Sequence, residues 1–178
     1  MSDLLLSPVP EVVFRTARLE DAPAIVRHLR RVAEDSPFFR IPEEALTVEH
    51  EEVFIRQHLE HGFFYLLAWE GTEVVGTLYV SRGLRAEIRH VASVAIALSP
   101  SVRGRGVASR MLAEGIRWAK GNGIEKLILN VISENTPALR LYERFGFVEE
   151  GRRRGMFRFG DVTADEVFLA LDLTEKTG

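Results

Sequence analysis

The sequence predicts a single α/β domain in which a mixed, mostly antiparallel sheet of about seven strands carries helices on both faces. Two apolar segments, residues 63–69 and 73–81, are separated by a tight Glu-Gly-Thr turn and predict a β-hairpin, which implies antiparallel pairing. A strand ending at Leu98, a helical segment beginning near Val107 and a strand at residues 126–131 follow in that order. They predict a right-handed crossover with parallel pairing, and the two patterns together indicate a mixed sheet.

The length and composition fit one domain. The 178 residues are 46% hydrophobic and 28% charged, which is enough for one sizeable core and leaves no room for a second full domain. Residues 1–10 are predicted to be a flexible leader, because Pro8 and Pro10 discourage both a helix and a central strand. Residues 11–174 form the predicted domain.

Charge and cysteine content exclude several classes of function. A net charge of −3 and an isoelectric point near 6.0 argue against nucleic acid as a partner. The chain has no cysteine, which excludes disulfides, zinc–thiolate sites and thiol nucleophiles, and no metal is predicted. The N-terminal segment does not resemble a secretory signal, and no apolar run reaches the ~18 residues of a membrane helix. We therefore expect a cytoplasmic protein without a membrane partner.

Local signals place the remaining elements. Asp21 followed by Pro23 marks a helix start, Ser36 followed by Pro37 marks its end, and Thr47 is a predicted N-cap. These elements are a strand at residues 12–15, a loop at 38–46, a helix from Thr47 to about His61, a strand from about His90 to Leu98, a short helix at 137–145, a strand opening at 147–150 and a last strand at 166–173.

The strand at residues 94–98 leads into a turn that is predicted to bind an anion. Pro100 ends the strand, and an Arg-Gly-Arg-Gly turn at residues 103–106 connects it to the following helix. Glycines let the backbone approach a phosphate, N–H groups at a helix N-terminus point toward it, and arginines add charge-assisted hydrogen bonds. A Walker loop is absent, and Ser109 occupies the third position of a dinucleotide fingerprint, where Gly or Ala is required.

Two motifs resemble those of the GNAT family of N-acetyltransferases. Arg103, Gly106 and Ala108 match R-x-x-G-x-A, which is similar to the pyrophosphate-binding signature of that family. Residues 135–147 resemble its N-x-x-A-x-x-x-Y-x-x-x-G-F segment. Because two independent motifs occur in the right order, the chain is identified as a member, with the resemblance extending from about Glu73 to the C-terminus.

The resemblance implies a fold detail and a set of acetyl-CoA contacts. The two parallel central strands are expected to splay, so that the pantetheine arm pairs with the first of them like an extra strand. The turn would hold the pyrophosphate mainly through main-chain N–H groups, and Asn135 would contact the cofactor arm, cap the short helix, or do both. The residues implied to bind acetyl-CoA are Ile96, Ala97, Leu98, Arg103, Gly104, Arg105, Gly106, Val107, Ala108, Ser109, Asn135 and Tyr142.

Two residues are candidates for proton transfer. The resemblance implies that Tyr142 donates a proton to the departing thiolate; the alternative is a core tyrosine with its hydroxyl capped. Some relatives that acetylate protein N-termini have a glutamate as general base at the position of Asn130. Asparagine cannot accept a proton at neutral pH, so Asn130 cannot take that role in this chain. His90, at the start of the central strand, is the candidate base, and a structural histidine or a chain of water molecules are the alternatives.

The identity of the acceptor substrate is predicted from a finer resemblance within the family. Residues 90–96 and 150–153 resemble bacterial N-acetyltransferases that act on free amino acids of the phenylalanine/methionine type. Three hypotheses stay open: acetylation of an amino acid or related small amine, acetylation of a protein or peptide, and an acyl-CoA-binding sensor without activity. A homodimer is also left open. Candidate acceptor-site residues are the aromatic Phe38, Phe39, Phe63 and Tyr65, the basic Arg82, Arg85 and Arg89, and the acidic Glu49, Glu51 and Glu52, which equally suit the first turn of a helix.

Overall fold

A seven-stranded mixed sheet organises the structure, a computed structural model that describes residues 11–39 and 41–174. The predicted leader, residues 1–10, lies outside the described residues. The strands are β1 Val12–Thr16, β2 Phe64–Glu70, β3 Glu73–Arg82, β4 Val91–Leu98, β5 Lys126–Ile132, β6 Val148–Phe159 and β7 Val162–Asp172. Their order in the sheet is β1-β2-β3-β4-β5-β7-β6, and every neighbouring pair is antiparallel except β4 and β5.

The parallel pair separates along its length, as predicted. Residues Val91 to Ser93 of β4 pair with Lys126 to Ile128 of β5, and the pairing stops there. Beyond that point β4 remains paired with β3 as far as Leu98, and β5 remains paired with β7. Each strand therefore keeps one hydrogen-bonded edge, and the facing edges open into a gap in the middle of the sheet.

Helices cover both faces of the sheet. Helices α1 Ala22–Asp35 and α2 Val48–Glu60 pack on one face, and α3 Val107–Gly121 and α4 Thr136–Arg144 pack on the other. Pro23 lies in the first turn of α1, and Thr47 caps α2 by accepting a hydrogen bond from the His50 N–H at 3.2 Å. Both predicted helix starts are therefore confirmed. In the described part of the chain, no helix is long and apolar enough to span a bilayer.

The last hairpin is longer than the sequence suggested. A strand was expected only to open at residues 147–150, but β6 continues to Phe159 and pairs with β7 through two irregular registers. Three consecutive arginines, residues 152–154, break the alternation of polar and apolar residues that marks a strand. These arginines are exposed on the edge strand, where charged side chains are common because they discourage pairing with another chain.

Candidate active site

A cleft of about 980 Å³ occupies the gap between the separated ends of β4 and β5. Residues 94–98 and 129–132 form its walls, the turn before α3 forms one end, and α4 covers the other side. Every residue implied to bind acetyl-CoA lines this cleft except Arg105. The fold thus brings together residues that are up to 46 positions apart, from Ile96 to Tyr142.

The turn before α3 presents free backbone donors to the cleft. Gly104 and Gly106 have φ angles of +73° and +77°, which L-residues adopt at a cost of roughly 1–2 kcal/mol. The hydrogen bond from Arg110 N–H to the Gly106 carbonyl at 3.1 Å closes the first turn of α3. The preceding N–H groups, of residues 107–109, therefore have no intrahelical acceptor and suit a phosphate.

The side chains of the two turn arginines form ion pairs within the protein. Arg103 forms an ion pair with Asp35 at 2.5 Å, and Arg105 forms one with Glu70 at 2.8 Å. Arg103 also donates to the Leu98 carbonyl at 3.2 Å. Both arginines thus anchor the turn to neighbouring elements. The charge-assisted bonds from their guanidinium groups to phosphate stay a prediction, and the backbone N–H groups at the start of α3 are available as anion donors.

Tyr142 and Asn135 reach the cleft from α4. Tyr142 is 4% exposed, its ring contacts Phe147 edge-on with centroids 5.4 Å apart, and its hydroxyl makes no hydrogen bond to a described residue. Burial raises the pKa of Tyr142 well above its ordinary value of 10.0, so the phenol keeps its proton at neutral pH. The Asn135 side chain accepts from the Ala138 N–H at 3.4 Å, which caps α4 while the residue lines the cleft.

The structure does not bring His90 into the cleft. His90 is exposed and precedes the first residue of β4, at the end of that strand opposite Leu98. Its carbonyl accepts from the N–H groups of Glu125 and Lys126 at 2.8 and 3.2 Å, which joins the beginnings of β4 and β5. The crossover places its side chain outside the cleft, so this position does not supply a base there.

A carboxylate does lie next to Asn130, but it is fully engaged. Glu166 on β7 lines the cleft; its Oε1 accepts from Asn130 Nδ2 at 2.6 Å and its Oε2 from Arg153 at 2.9 Å. The Arg153 guanidinium also lies over the Phe168 ring, 4.8 Å from the centroid. Because both carboxylate oxygens already accept hydrogen bonds, Glu166 is held as a structural partner of Asn130 and Arg153.

A second cavity, of about 480 Å³, lies on the other face of β4, beneath α1 and α2. It shares Phe39 and the β4 residues Ala95, Ile96 and Ala97 with the cleft, so the two cavities meet at the splayed strand. Its other lining residues are Leu29, Ile41, Ala45, His50, Glu51, Val53, Phe54, Gln57, Tyr65, Thr77 and Tyr79.

Only some of the predicted acceptor residues line this cavity. Phe39 and Tyr65 do, Phe38 lines the cleft, and Phe63 lines neither. The basic candidates are elsewhere: Arg82 donates to the Asn122 carbonyl, and Arg85 and Arg89 are exposed in the segment before β4, outside both cavities. None of these three arginines therefore lies where it could contact an acceptor in either cavity.

Glu51 was a candidate only as one of three acidic residues at the start of α2, and the structure sets it apart from Glu49 and Glu52 because it is the one that lines a cavity. It is 7% exposed, and its Oε1 accepts a hydrogen bond from the Tyr65 hydroxyl at 2.9 Å. Burial raises the pKa of Glu51 from 4.5 to about 7, against the opposing effect of the Tyr65 hydrogen bond. The helical spacing could have indicated that Glu51 faces the interior. It lies four and seven positions before Ile55 and His58, so the three residues share one face of α2, and all three are buried.

Comparison with known proteins assigns the family. A profile described as the acetyltransferase (GNAT) family matches residues 26–147. The chain belongs to this family. The GNAT chain is 32% identical over 132 residues to the putative phosphinothricin acetyltransferase YwnH of Bacillus subtilis, a match covering 74% of this chain and 81% of that protein.

Two further relatives match over shorter stretches. The L-amino acid N-acetyltransferase AaaT of Escherichia coli is 32% identical over 94 residues, covering 51% of this chain and 56% of AaaT. A mycothiol acetyltransferase of Corynebacterium glutamicum is 34% identical over 82 residues, covering 46% of this chain. The match spans only 27% of that mycothiol enzyme.

Solved structures support the same fold. A GNAT acetyltransferase of Streptococcus pneumoniae superposes with a TM-score of 0.83 at 27% identity, covering 91% of this chain and 99% of that one. A phosphinothricin acetyltransferase of Sinorhizobium meliloti, solved in complex with AcCoA, has a TM-score of 0.81 at 20% identity and covers 93% of this chain and 90% of that one. Within residues 11–39 and 41–174, no three His, Asp or Glu side chains are placed to hold a metal ion.

The raised pKa of Glu51 has a consequence for stability. The folded protein favours the protonated carboxyl, so the free energy of unfolding falls as pH rises from about 4.5 to about 7. We expect Glu51→Gln, which keeps an acceptor for Tyr65 but cannot ionise, to stabilise the protein at pH 8 by on the order of 2–3 kcal/mol and to have no such effect at pH 4. Urea unfolding at both pH values measures this; equal effects at both would contradict the raised pKa.

Proposed function

We propose that this GNAT protein transfers an acetyl group from acetyl-CoA directly to the primary amine of a small molecule, a free amino acid or a related amine. One observation carries the proposal: a cleft with backbone anion donors and a compact second cavity meet at residues Ala95, Ile96 and Ala97 of β4. A thioester held in the first and an amine held in the second would meet across this strand.

The cleft supports acetyl-CoA as the donor. Past Ser93, β4 has no partner on its β5 side, which leaves main-chain groups that can pair with an extended pantetheine arm. The free N–H groups at the start of α3 suit the pyrophosphate. The S. meliloti neighbour, which has the same fold, was solved in complex with AcCoA, and this supports acetyl-CoA as the donor.

The same groups supply the chemistry of acyl transfer. Attack of a neutral amine turns the thioester carbonyl into an oxyanion, which unpaired N–H groups of β4 can stabilise. The carbon–sulfur bond then breaks, and Tyr142, protonated and lining the cleft, donates its proton to the thiolate. The nitrogen loses its extra proton to solvent, the phenol regains a proton from solvent, and the amide product and free coenzyme A leave.

The second cavity supports a small acceptor with an apolar body. Its volume lies within the range of roughly 300–1,000 Å³ that is usual for small-molecule sites. Among the described residues that line it, Glu51 is an acid and none is a lysine or arginine. An ammonium group therefore has a charged partner in this cavity, while the carboxylate of an amino acid finds no basic partner among the described lining residues.

A thiol-release assay with acetyl-CoA tests the proposal, and the protein itself gives no thiol background because it lacks cysteine. Matched acceptors that differ only in the carboxylate, phenylalanine with phenethylamine and methionine with 3-methylthiopropylamine, are compared with polyamines, aminoglycosides and N-terminal peptides. We expect turnover of at least one member of these pairs above that of any peptide. Turnover on peptides alone would contradict a small-molecule acceptor, and acetyl-CoA binding without any turnover would indicate a sensor.

A further inference from the structure

Among the described residues that line the second cavity, one carries a carboxylate, and its surroundings suit proton transfer. Glu51 lies in the first turn of α2 with its side chain in the cavity that reaches Ala95–Ala97 of β4. Tyr65 from β2 donates to one of its oxygens, Oε1, at 2.9 Å. The other oxygen has no hydrogen-bond partner among the described residues, so it can accept from a ligand.

Few titratable groups face Glu51. Of the described residues lining the cavity, these are His50 from α2, Tyr65 from β2 and Tyr79 from β3. The lining residues from α1 and β4 are apolar. His58, one helical turn beyond Phe54, lies near Tyr65 with ring centroids 5.7 Å apart, and it bonds to the Phe54 carbonyl and Ser81. Glu51 is thus the only carboxylate among the described lining residues.

We infer that Glu51 is the general base of the reaction, a catalytic residue that binds the acceptor ammonium and removes its proton, and that Tyr65 is a positioning residue that holds the carboxylate. This inference rests on the proposed function. The N–H bond of the ammonium breaks, its electron pair stays on nitrogen, and the proton goes to Glu51. The nitrogen then forms the bond to the acetyl carbon, the carbon–sulfur bond breaks, and the nitrogen loses a second proton to solvent, which balances the proton that the thiolate takes from Tyr142. Glu51 finally releases its proton to solvent.

The acid strength of Glu51 fits this role. A carboxyl with a pKa of about 7 is substantially ionised at neutral pH and is a much stronger base than an ordinary glutamate. Amines have pKa values of roughly 8–10, so the proton transfer from ammonium to Glu51 is only modestly uphill. The Tyr65 hydrogen bond favours the ionised carboxyl, so losing it is expected to raise the pKa of Glu51 further.

Other candidate bases are less well placed. His90 lies outside both cavities, and both oxygens of Glu166 are already occupied. His50 lines the second cavity, but its Nδ1 lies 3.1 Å from the Thr47 hydroxyl at the start of α2. His50 is therefore the rival that the experiment has to separate from Glu51.

The test is the pH dependence of kcat/KM, measured from pH 5.5 to 9.5 with the best amine from the thiol-release assay. For the wild-type protein we expect an acidic limb that rises through about pH 7, where Glu51 ionises. Glu51→Gln should remove this limb and lower kcat/KM at pH 7.5 by about 30-fold. This loss is smaller than the usual effect of removing a general base, because solvent also accepts the proton. Tyr65→Phe should keep the limb and move it to higher pH.

Controls make the outcomes distinguishable. Glu49→Gln alters an exposed acid in the same turn, outside both cavities, and should leave the profile unchanged. Retention of the limb in Glu51→Gln, or its loss in His50→Gln instead, would overturn the assignment of the base and leave the proposed function standing. An unmoved limb in Tyr65→Phe would overturn the positioning role. Absence of wild-type turnover on every small amine would overturn the proposed function and this inference with it.

Discussion

Replacing Tyr142 with phenylalanine is expected to lower kcat about 100-fold and to leave the dissociation constant of acetyl-CoA unchanged. Tyr142 lines the cleft, and its hydroxyl makes no hydrogen bond to a described residue, so loss of the hydroxyl breaks no described interaction. The burial that raises the pKa of Tyr142 keeps the phenol protonated, which suits a donor to the departing thiolate. Steady-state kinetics and isothermal titration with acetyl-CoA measure the two quantities separately.

A packing control separates the hydroxyl from the ring. Phe147→Leu removes the edge-on ring contact with Tyr142 and retains the hydroxyl. We expect this variant to lose stability and to keep most of its kcat. An unchanged kcat in Tyr142→Phe would remove Tyr142 as the acid, whereas equal losses in both variants would show that ring position, and not proton donation, determines the rate.

Gly106→Glu is expected to weaken acetyl-CoA binding by on the order of 100-fold or more, because it adds a negative charge within several ångströms of the pyrophosphate. Gly106 lines the cleft, and a Cβ added there meets no protein atom within 4 Å, so the substituted side chain can extend into open space beside the free N–H groups of the turn. The helix N-terminus that favours a bound anion would be neutralised by the attached carboxylate. Isothermal titration of acetyl-CoA measures the loss.

Gly123→Glu is the matched control for that variant. Gly123 follows the opposite end of α3, has a φ of +69°, and also has no atom within 4 Å of an added Cβ. Each variant therefore places an L-residue in a left-handed backbone conformation and adds one negative charge beside an end of α3. We expect the two variants to lose similar stability. Only Gly123→Glu is expected to keep normal acetyl-CoA affinity. Normal affinity in Gly106→Glu would refute the assignment of the phosphate to this turn.

Features that depend on neighbours in the chain were predictable from sequence. The hairpin at residues 63–81, the cap at Thr47 and the crossover that encloses α3 all follow from local patterns that the structure confirms. The glycine turn before α3 was predictable for the same reason, since positive φ angles and free N–H groups at a helix start depend on a few adjacent residues. The long β6 was missed because consecutive arginines break the local pattern.

Features that depend on distant partners required the tertiary structure. The sequence by itself determined the family, and the family resemblance implied the splayed strands and residues that, except for Arg105, line the cleft. Tertiary packing decided that Arg103 and Arg105 pair with Asp35 and Glu70. It also decided that Glu51 meets Tyr65, 14 positions away, in a cavity beneath α1 and α2. Burial and the identity of a partner set the pKa of a carboxyl, and neither is encoded in the residues next to it, so a glutamate that suits an ordinary helical first turn became the candidate base.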